Sequence, residues 1–170
     1  MEELLELLKQ LHVPFQRFDH KAVFTCAESE EIDADIPGAH TKQLLMKGKR
    51  TGTVVLAIVL HDKRVDTKAL GREQGDQSMS FASPALLFEL LRVTPGAVTP
   101  FGLMHDKDRR IRVIVDEDAW GIGQFRFHPL VNTATLVIDI QGFERFLEHT
   151  GHTFTVQPIP QKQHGGERAG

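Results

Sequence analysis

The amino-acid sequence predicts an α+β domain built on a mixed, curved β-sheet flanked by helices. Amphipathic helical segments open and nearly close the chain, and β-favouring runs fill its centre. Helices and strands also follow one another without the regular βαβ alternation of a parallel-sheet protein. The chain has 170 residues, of which 41% are hydrophobic. That is one ordinary domain, long enough to bury a core without disulfides or metal staples. The domain is expected over residues 1–158. The polar, glycine-rich stretch 159–170 is expected to be a disordered tail.

The elements follow in order. Leu4, Leu5, Leu7, Leu8 and Leu11 recur at helical spacing between charged residues, which predicts an amphipathic helix from Glu2, closed before Pro14. Val13, Phe15 and Phe18 suit a short extended segment. Thr25 and Glu28 have capping-box spacing and predict a helix to about Asp35, ended by Pro37-Gly38. Lys42 to Lys47 reads as a strand, Gly48 to Gly52 as a turn, and Thr53 to Leu60 as a strand buried on both faces. A brief helix is expected over Val65 to Leu70. Ser83-Pro84 is an N-cap and first-turn pair opening a helix through Leu91. Ile111 to Val115 and the β-branched run Thr133 to Ile140 are further strands, the second central in character. Gly142 to Thr150 is a last helix with Gly151 as its stop, and Thr153 to Val156 an edge strand.

Composition excludes several functions. Cys26 is the single cysteine, so neither an intramolecular disulfide nor an all-cysteine metal site can form. No apolar run approaches the roughly 20 residues that span a bilayer. The acidic start Met1-Glu2-Glu3 is unlike a secretory n-region, so a cytoplasmic location is expected. Twenty Lys+Arg against 23 Asp+Glu give a net charge of −3, which argues against a generally basic nucleic-acid coat. Residues 42–72 nevertheless carry eight basic side chains against Asp62 and Asp66, a local excess of +6. A polyanion gripped at one end and a solvated rim both fit that excess.

Phosphate-loop, dinucleotide, zinc-hydrolase and nucleophile-elbow motifs are all missing. His149 and His152 straddle a helix stop and read as a surface pair. His12, His20, His40, His61, His105 and His164 share no spacing, so no metal site is expected. Cys26, at a helix start without an activating motif, reads as a small half-buried thiol.

Two loops carry more information. Val93 to Gly102 places two prolines and two glycines between an apolar helix and a strand. Proline fixes φ and glycine lets a backbone approach a ligand, so the loop either presents its peptide groups rigidly or makes a tight connection. Phe127 to Thr135 leads into the central strand, with His128 between Phe127 and Pro129, and with Asn132, Thr133 and Thr135 at the strand entrance. His128 alone is more often structural than catalytic. Lys42, heading an apolar strand, is the third candidate.

Together these residues resemble the YbaK-like aminoacyl-tRNA deacylase family. The resemblance runs over roughly residues 3–157. Lys42 at the strand head, the string Thr94-Pro95-Gly96-Ala97-Val98-Thr99-Pro100-Phe101-Gly102, and Phe127-His128-Pro129-Leu130 with Asn132-Thr133-Ala134-Thr135 carry it. The most similar branch comprises the free-standing prolyl-tRNA editing proteins, which remove alanine from proline tRNA. That branch commonly has asparagine after the lysine, whereas this chain has Gln43, which keeps the amide and extends it by one methylene.

The resemblance implies a trans-editing hydrolase that deacylates mischarged tRNA, alanyl-tRNA(Pro) foremost, by water attack on the aminoacyl ester. It implies no cofactor. The implied partners are the acceptor end of proline tRNA and prolyl-tRNA synthetase, with neither DNA nor membrane. Lys42, Gly96 and His128 would form the catalytic set. Gln43, Ala97, Thr99, Pro100, Phe101, Asn132 and Thr133 would bind substrate. A synthetase pocket shaped for proline excludes alanine weakly, because lost apolar contact is worth only about 1–3 kcal/mol. A second, tight cavity supplies the missing discrimination. The ester is already reactive, so positioning a water and stabilising an oxyanion can suffice without a strong nucleophile. Two other readings fit the same residues: a non-catalytic module binding charged tRNA or a synthetase, and a deacylase of another small aminoacyl-tRNA, seryl or cysteinyl.

Overall fold

Two sheets share the main hydrophobic core of this protein. The computed structural model describes residues 1–22 and 35–163. Its elements are α1 (Glu2–Gln10), β1 (Gln16–Asp19), β2 (Thr41–Gly48), β3 (Val54–Leu60), α2 (Thr67–Glu73), β4 (Met79–Phe81) and α3 (Pro84–Leu91). Two 3-10 turns follow, Pro95–Ala97 and Pro100–His105. Then come β5 (Ile111–Asp116), α4 (Glu117–Trp120), β6 (Gln124–Phe127), β7 (Ala134–Asp139), α5 (Ile140–Thr150) and β8 (Phe154–Gln157).

The five-stranded sheet has the order β4-β2-β3-β5-β8, and the three-stranded sheet the order β1-β7-β6. β2 pairs antiparallel with β3 and β4, while β3-β5 and β5-β8 are parallel, so the larger sheet is mixed. The smaller sheet is antiparallel throughout, with β7 in the middle, as its β-branched sequence requires. A parallel bridge from Ala39 to Phe125 joins the two sheets just ahead of β2. The fold is α+β with a mixed sheet and flanking helices, as expected, and a second, antiparallel sheet accompanies it.

β3 explains how both faces of the larger sheet are filled. Val54, Leu56 and Ile58 face the main core, with Leu4 and Leu8 of α1, Leu90 and Leu91 of α3, and Phe143 and Phe146 of α5. Val55, Ala57 and Val59 face a second cluster with Leu70, Met79, Ile114 and Ile159. An uninterrupted apolar strand is what a doubly covered position demands. An aromatic group locks the main core: Phe125 and Phe127 stack at 5.3 Å, and Phe101 stands edge-on to Phe127 at 5.7 Å and to Phe146 at 5.3 Å.

Helix starts follow local chemistry. Ser83 Oγ accepts from the Leu86 amide at 3.1 Å, with Pro84 in the first turn. Asp66 and Asp139 cap α2 and α5 through the amides of Ala69 and Gly142. Gly151 ends α5 at φ +81°, a conformation that favours glycine.

Several expectations change. β4, α4 and β6 were not expected; β4 has three residues and α4 four, too few for a periodic signal. The helix expected from Thr25, and Cys26 with it, lie outside the described residues except for Asp35. His149 and His152 are not a surface pair: His152 is buried, with Nε2 2.9 Å from Asp106 Oδ2 and Nδ1 2.8 Å from Thr150 Oγ1. Residues 159–163 of the expected tail are among those described. Ile159 is buried, its amide donates to Asp116 Oδ1 at 3.0 Å, and the Lys162 amide donates to Arg64 O at 2.8 Å. Residues 164–170 lie outside the described residues.

Candidate functional site

The larger sheet positions Lys42 as the second residue of β2, half-buried and paired in register with Val59. Side chains alternate along a strand, so Lys42 shares a face with Leu44 and Met46, and Gln43 shares the other with Thr41 and Leu45. Gln43 Nε2 donates to Thr41 Oγ1 at 2.7 Å. The extra methylene of this glutamine therefore folds its amide back along its own strand. Thr41 Oγ1 lies 3.5 Å from Arg126 O, which carries the contact between β2 and β6 one step beyond the Ala39–Phe125 bridge.

His128 follows β6 directly. Its Nδ1 lies 3.0 Å from Ala134 O. A carbonyl only accepts, so Nδ1 carries the proton and Nε2 is the acceptor nitrogen of the neutral ring. The His20 ring stands edge-on to His128 at 6.2 Å between centroids. His20 is fixed in turn: Nδ1 donates to Lys21 O at 2.8 Å, and Nε2 accepts from Thr135 Oγ1 at 2.8 Å. Its amide donates to Thr133 O at 2.9 Å. Thr133 is exposed and Asn132 half-buried, so the loop after β6 presents both beside this imidazole pair.

The proline-glycine loop divides in two. Thr94, Pro95 and Gly96 are exposed, whereas Ala97, Thr99, Pro100 and Phe101 are buried. A Cβ placed on Gly96 would lie 3.4 Å from Asn132 Nδ2, so this exposed turn rests against the loop that follows His128. Thr99, at 0% exposure, uses Oγ1 to accept the Phe101 amide at 3.3 Å. Phe101 belongs to the aromatic core, edge-on to two other rings. Ala97, Thr99, Pro100 and Phe101, expected to bind substrate, are thus placed beneath the exposed turn. Their burial in apolar surroundings makes them the footing that holds the Gly96 turn in place.

Sequence reasoning passed over two histidine pairs. His20 braces the His128 region, and His40 stacks on His61 at 3.8 Å with ring planes 15° apart. The second pair had a readable signal. In an antiparallel hairpin that pairs Lys42 with Val59 and Thr41 with Leu60, the next pair outward is His40 with His61. The first pair had none, because His20 and Thr135 are distant in sequence.

A cleft of about 470 Å³ opens elsewhere, between α1 and the segment after the second 3-10 turn, lined in part by Glu3, Glu6, Met104, Lys107, Arg109 and Thr150. None of the catalytic or substrate-binding residues expected from the sequence lines it, although His149 does. Its Asp106 is already occupied by His152 and by the amides of Arg110 and Ile111. Among the described residues, no group of three His, Cys, Asp or Glu is arranged to hold a metal ion, and no helix is long and apolar enough to cross a membrane.

Residues 20–146, which hold Lys42, Gly96 and His128, match the family model described as the aminoacyl-tRNA editing domain. The chain belongs to that family. It is similar to the prolyl-tRNA editing protein ProX of Acetoanaerobium sticklandii, at 29% identity over 90% of this chain and 93% of that protein. It is also similar to prolyl-tRNA synthetase associated domain-containing protein 1 of Danio rerio, at 35% identity over 89% of this chain and 83% of the relative. The multifunctional Ser/Thr-tRNA deacylase ProXp-y of Escherichia coli is 32% identical over 78% of this chain and 83% of its own length. A solved structure of a candidate trans-editing enzyme for prolyl-tRNA synthetase shares the fold, with a TM-score of 0.68 at 23% identity over 95% of this chain and 94% of that one.

Proposed function

We propose that this protein is a trans-editing hydrolase that cleaves the ester between a small, wrongly attached amino acid and the 3′ end of tRNA, with alanyl-tRNA(Pro) as its principal substrate. The family match across Lys42, Gly96 and His128 carries this reading. The register of the sheets supports it. Lys42 stands three positions past Ala39 and His128 three past Phe125, along segments bridged in parallel, which favours their arrival at one end of the sheets. The closeness of the Gly96 turn to Asn132, whose Nδ2 a Cβ on Gly96 would meet at 3.4 Å, supports a place for the turn beside that end.

The reaction breaks the acyl C–O bond to the ribose. Water adds its oxygen to the carbonyl carbon, and its proton passes to the departing ribose hydroxyl. The ammonium of Lys42 is a compact charge suited to the terminal phosphate or ribose. The Gly96 backbone would bind the amino acid's ammonium or orient the attacking water, close to the chain because no side chain intervenes. His128, with Nδ1 committed to Ala134 O, would turn Nε2 toward the substrate or brace the wall. A turn stiffened by Pro95 and footed on buried Ala97 and Thr99 suits exclusion of larger side chains, because a wall that cannot yield discriminates by size.

A second reading has a specific observation behind it. The Escherichia coli relative is named a Ser/Thr-tRNA deacylase, and Gln43 alters the polar side of the strand that bears Lys42. The purified protein is therefore incubated with alanyl-, seryl-, threonyl-, cysteinyl- and prolyl-tRNA, and loss of each ester is followed. Fastest loss of the alanyl ester with prolyl-tRNA spared is the expected result, and Lys42→Ala should abolish it while leaving the circular dichroism spectrum unchanged. Fastest loss of the seryl or threonyl ester would move the substrate to the second reading. Binding of charged tRNA without turnover would make the protein a non-catalytic module.

A further inference from the structure

The His40–His61 stack has no part in the reaction as described above, yet it lies on the strand pair that carries Lys42. The His61 amide donates to His40 O at 3.0 Å, so the β2-β3 ladder continues one residue past the ends of both strands. His40 and Lys42 are two residues apart on one strand, and His61 and Val59 two apart on its partner. Alternation along the strands sets both imidazoles on the Lys42 face, about 6.6 Å along the strand from the lysine. Both rings are half-buried and parallel within 15°, which makes a flat, rigid plate at the lip of the hairpin.

We infer that the stacked rings of His40 and His61 form the platform on which the terminal base of the RNA stacks while Lys42 holds the adjoining phosphate or ribose. The chemistry is that of an aromatic plate beside a cation, the combination that holds an unpaired nucleotide by its base face and its backbone. Antiparallel pairing already orders the two residues, so little side-chain freedom is lost when a base adds to the stack. This inference rests on the reading of the chain as an aminoacyl-tRNA deacylase, and it makes His40 and His61 positioning residues that do not touch the scissile ester.

The first test uses the unaltered protein with two fluorescent acceptor-stem RNAs, one ending in an intact unpaired adenosine and one in an abasic nucleotide. The intact RNA should bind about tenfold more tightly, the loss typical of one stacked base. Equal affinities would overturn the platform. The second test compares the double variants H40A/H61A and H40F/H61F on the aminoacyl-tRNA that the wild type cleaves best. The alanine pair should raise KM about tenfold with kcat within about twofold, as expected when binding common to ground and transition states is removed. The phenylalanine pair should restore KM, since it keeps the flat rings and loses the nitrogens. Failure of the phenylalanine pair to rescue would overturn stacking and point to phosphate contact by imidazolium. Absence of ester cleavage by the wild type would overturn the deacylase reading while leaving the comparison of the two RNAs intact.

Discussion

At the scale of single residues, Gly96 separates two reasons for keeping a glycine. Its φ is not positive, and a Cβ there would meet only Asn132 Nδ2 at 3.4 Å, an ordinary contact. The fold therefore does not require glycine at this position. Gly96→Ala is predicted to change unfolding free energy by less than about 0.5 kcal/mol, measured by urea denaturation. The same methyl group projects where the proposed substrate meets the backbone, so the deacylation rate should fall by about tenfold or more. Full activity would remove Gly96 from the site. Asp106 and His152 provide the opposite case. Their side chains are each 1% exposed and 2.9 Å apart, and the same carboxylate accepts the amides of Arg110 and Ile111. His152→Ala removes one hydrogen-bond partner of that buried carboxylate and should cost about 1–3 kcal/mol, seen in the same denaturation experiment, with KM unchanged at a temperature where the variant is folded.

At the scale of elements, the β2-β3 hairpin shows what sequence could and could not reveal. Its two strands were readable from apolar runs on either side of Gly48 to Gly52, and their register alone sets His40 opposite His61. The residue that fastens the turn was not readable, because Asp76 arrives from beyond α2. Its carboxylate accepts the Thr51 amide and hydroxyl, each at 2.7 Å, and the amides of Gln77 and Arg50. The Thr51 hydrogen bonds are the largest of the influences that hold this carboxyl well below the usual carboxylate range. A depressed acid contributes stability that is present above its unfolded value, about 3.9, and is lost as pH falls through the folded value. Asp76→Asn should therefore lower Tm at pH 7, and the gap to wild type should narrow progressively below about pH 4. A gap independent of pH would mean that shape, not charge, fastens the turn. The proposed site follows the same division: Lys42, Gly96 and His128 are singled out by local strings, whereas the His20 brace and the Asp106–His152 pair depend on contacts between distant segments. β6 lies between these cases, since its alternation of Gln124, Phe125, Arg126 and Phe127 was legible but four residues long.

At the scale of the whole molecule, the question is how an acidic protein holds an RNA end. Residues 42–72, with their +6 excess, and a second basic group of Lys107, Arg109, Arg110 and Arg112 could supply a basic rim, and the structure thins both. Lys63 turns inward, 12% exposed, to an ion pair with Asp116 at 2.7 Å and to Ile159 O at 2.9 Å, so its charge is spent on joining the chain's end to β5. Arg110 is paired with Glu89 at 3.0 Å. Lys47 and Lys49 remain exposed on the hairpin whose other end carries Lys42 and the histidine stack. An RNA held by a few such charges loses affinity as salt rises, because each neutralised phosphate releases counterions. Replacing Lys47 and Lys49 together by glutamine should weaken tRNA binding at low salt and reduce the slope of log affinity against log salt by about one to two. Both side chains are solvated, so Tm should stay within about 2 °C of wild type, and kcat on saturating aminoacyl-tRNA should be unchanged. An unaltered slope would place the rim on the other basic group, around Lys107 and Arg109. A fall in kcat instead would mean that the hairpin tip shapes the reacting end of the RNA as well as attracting it.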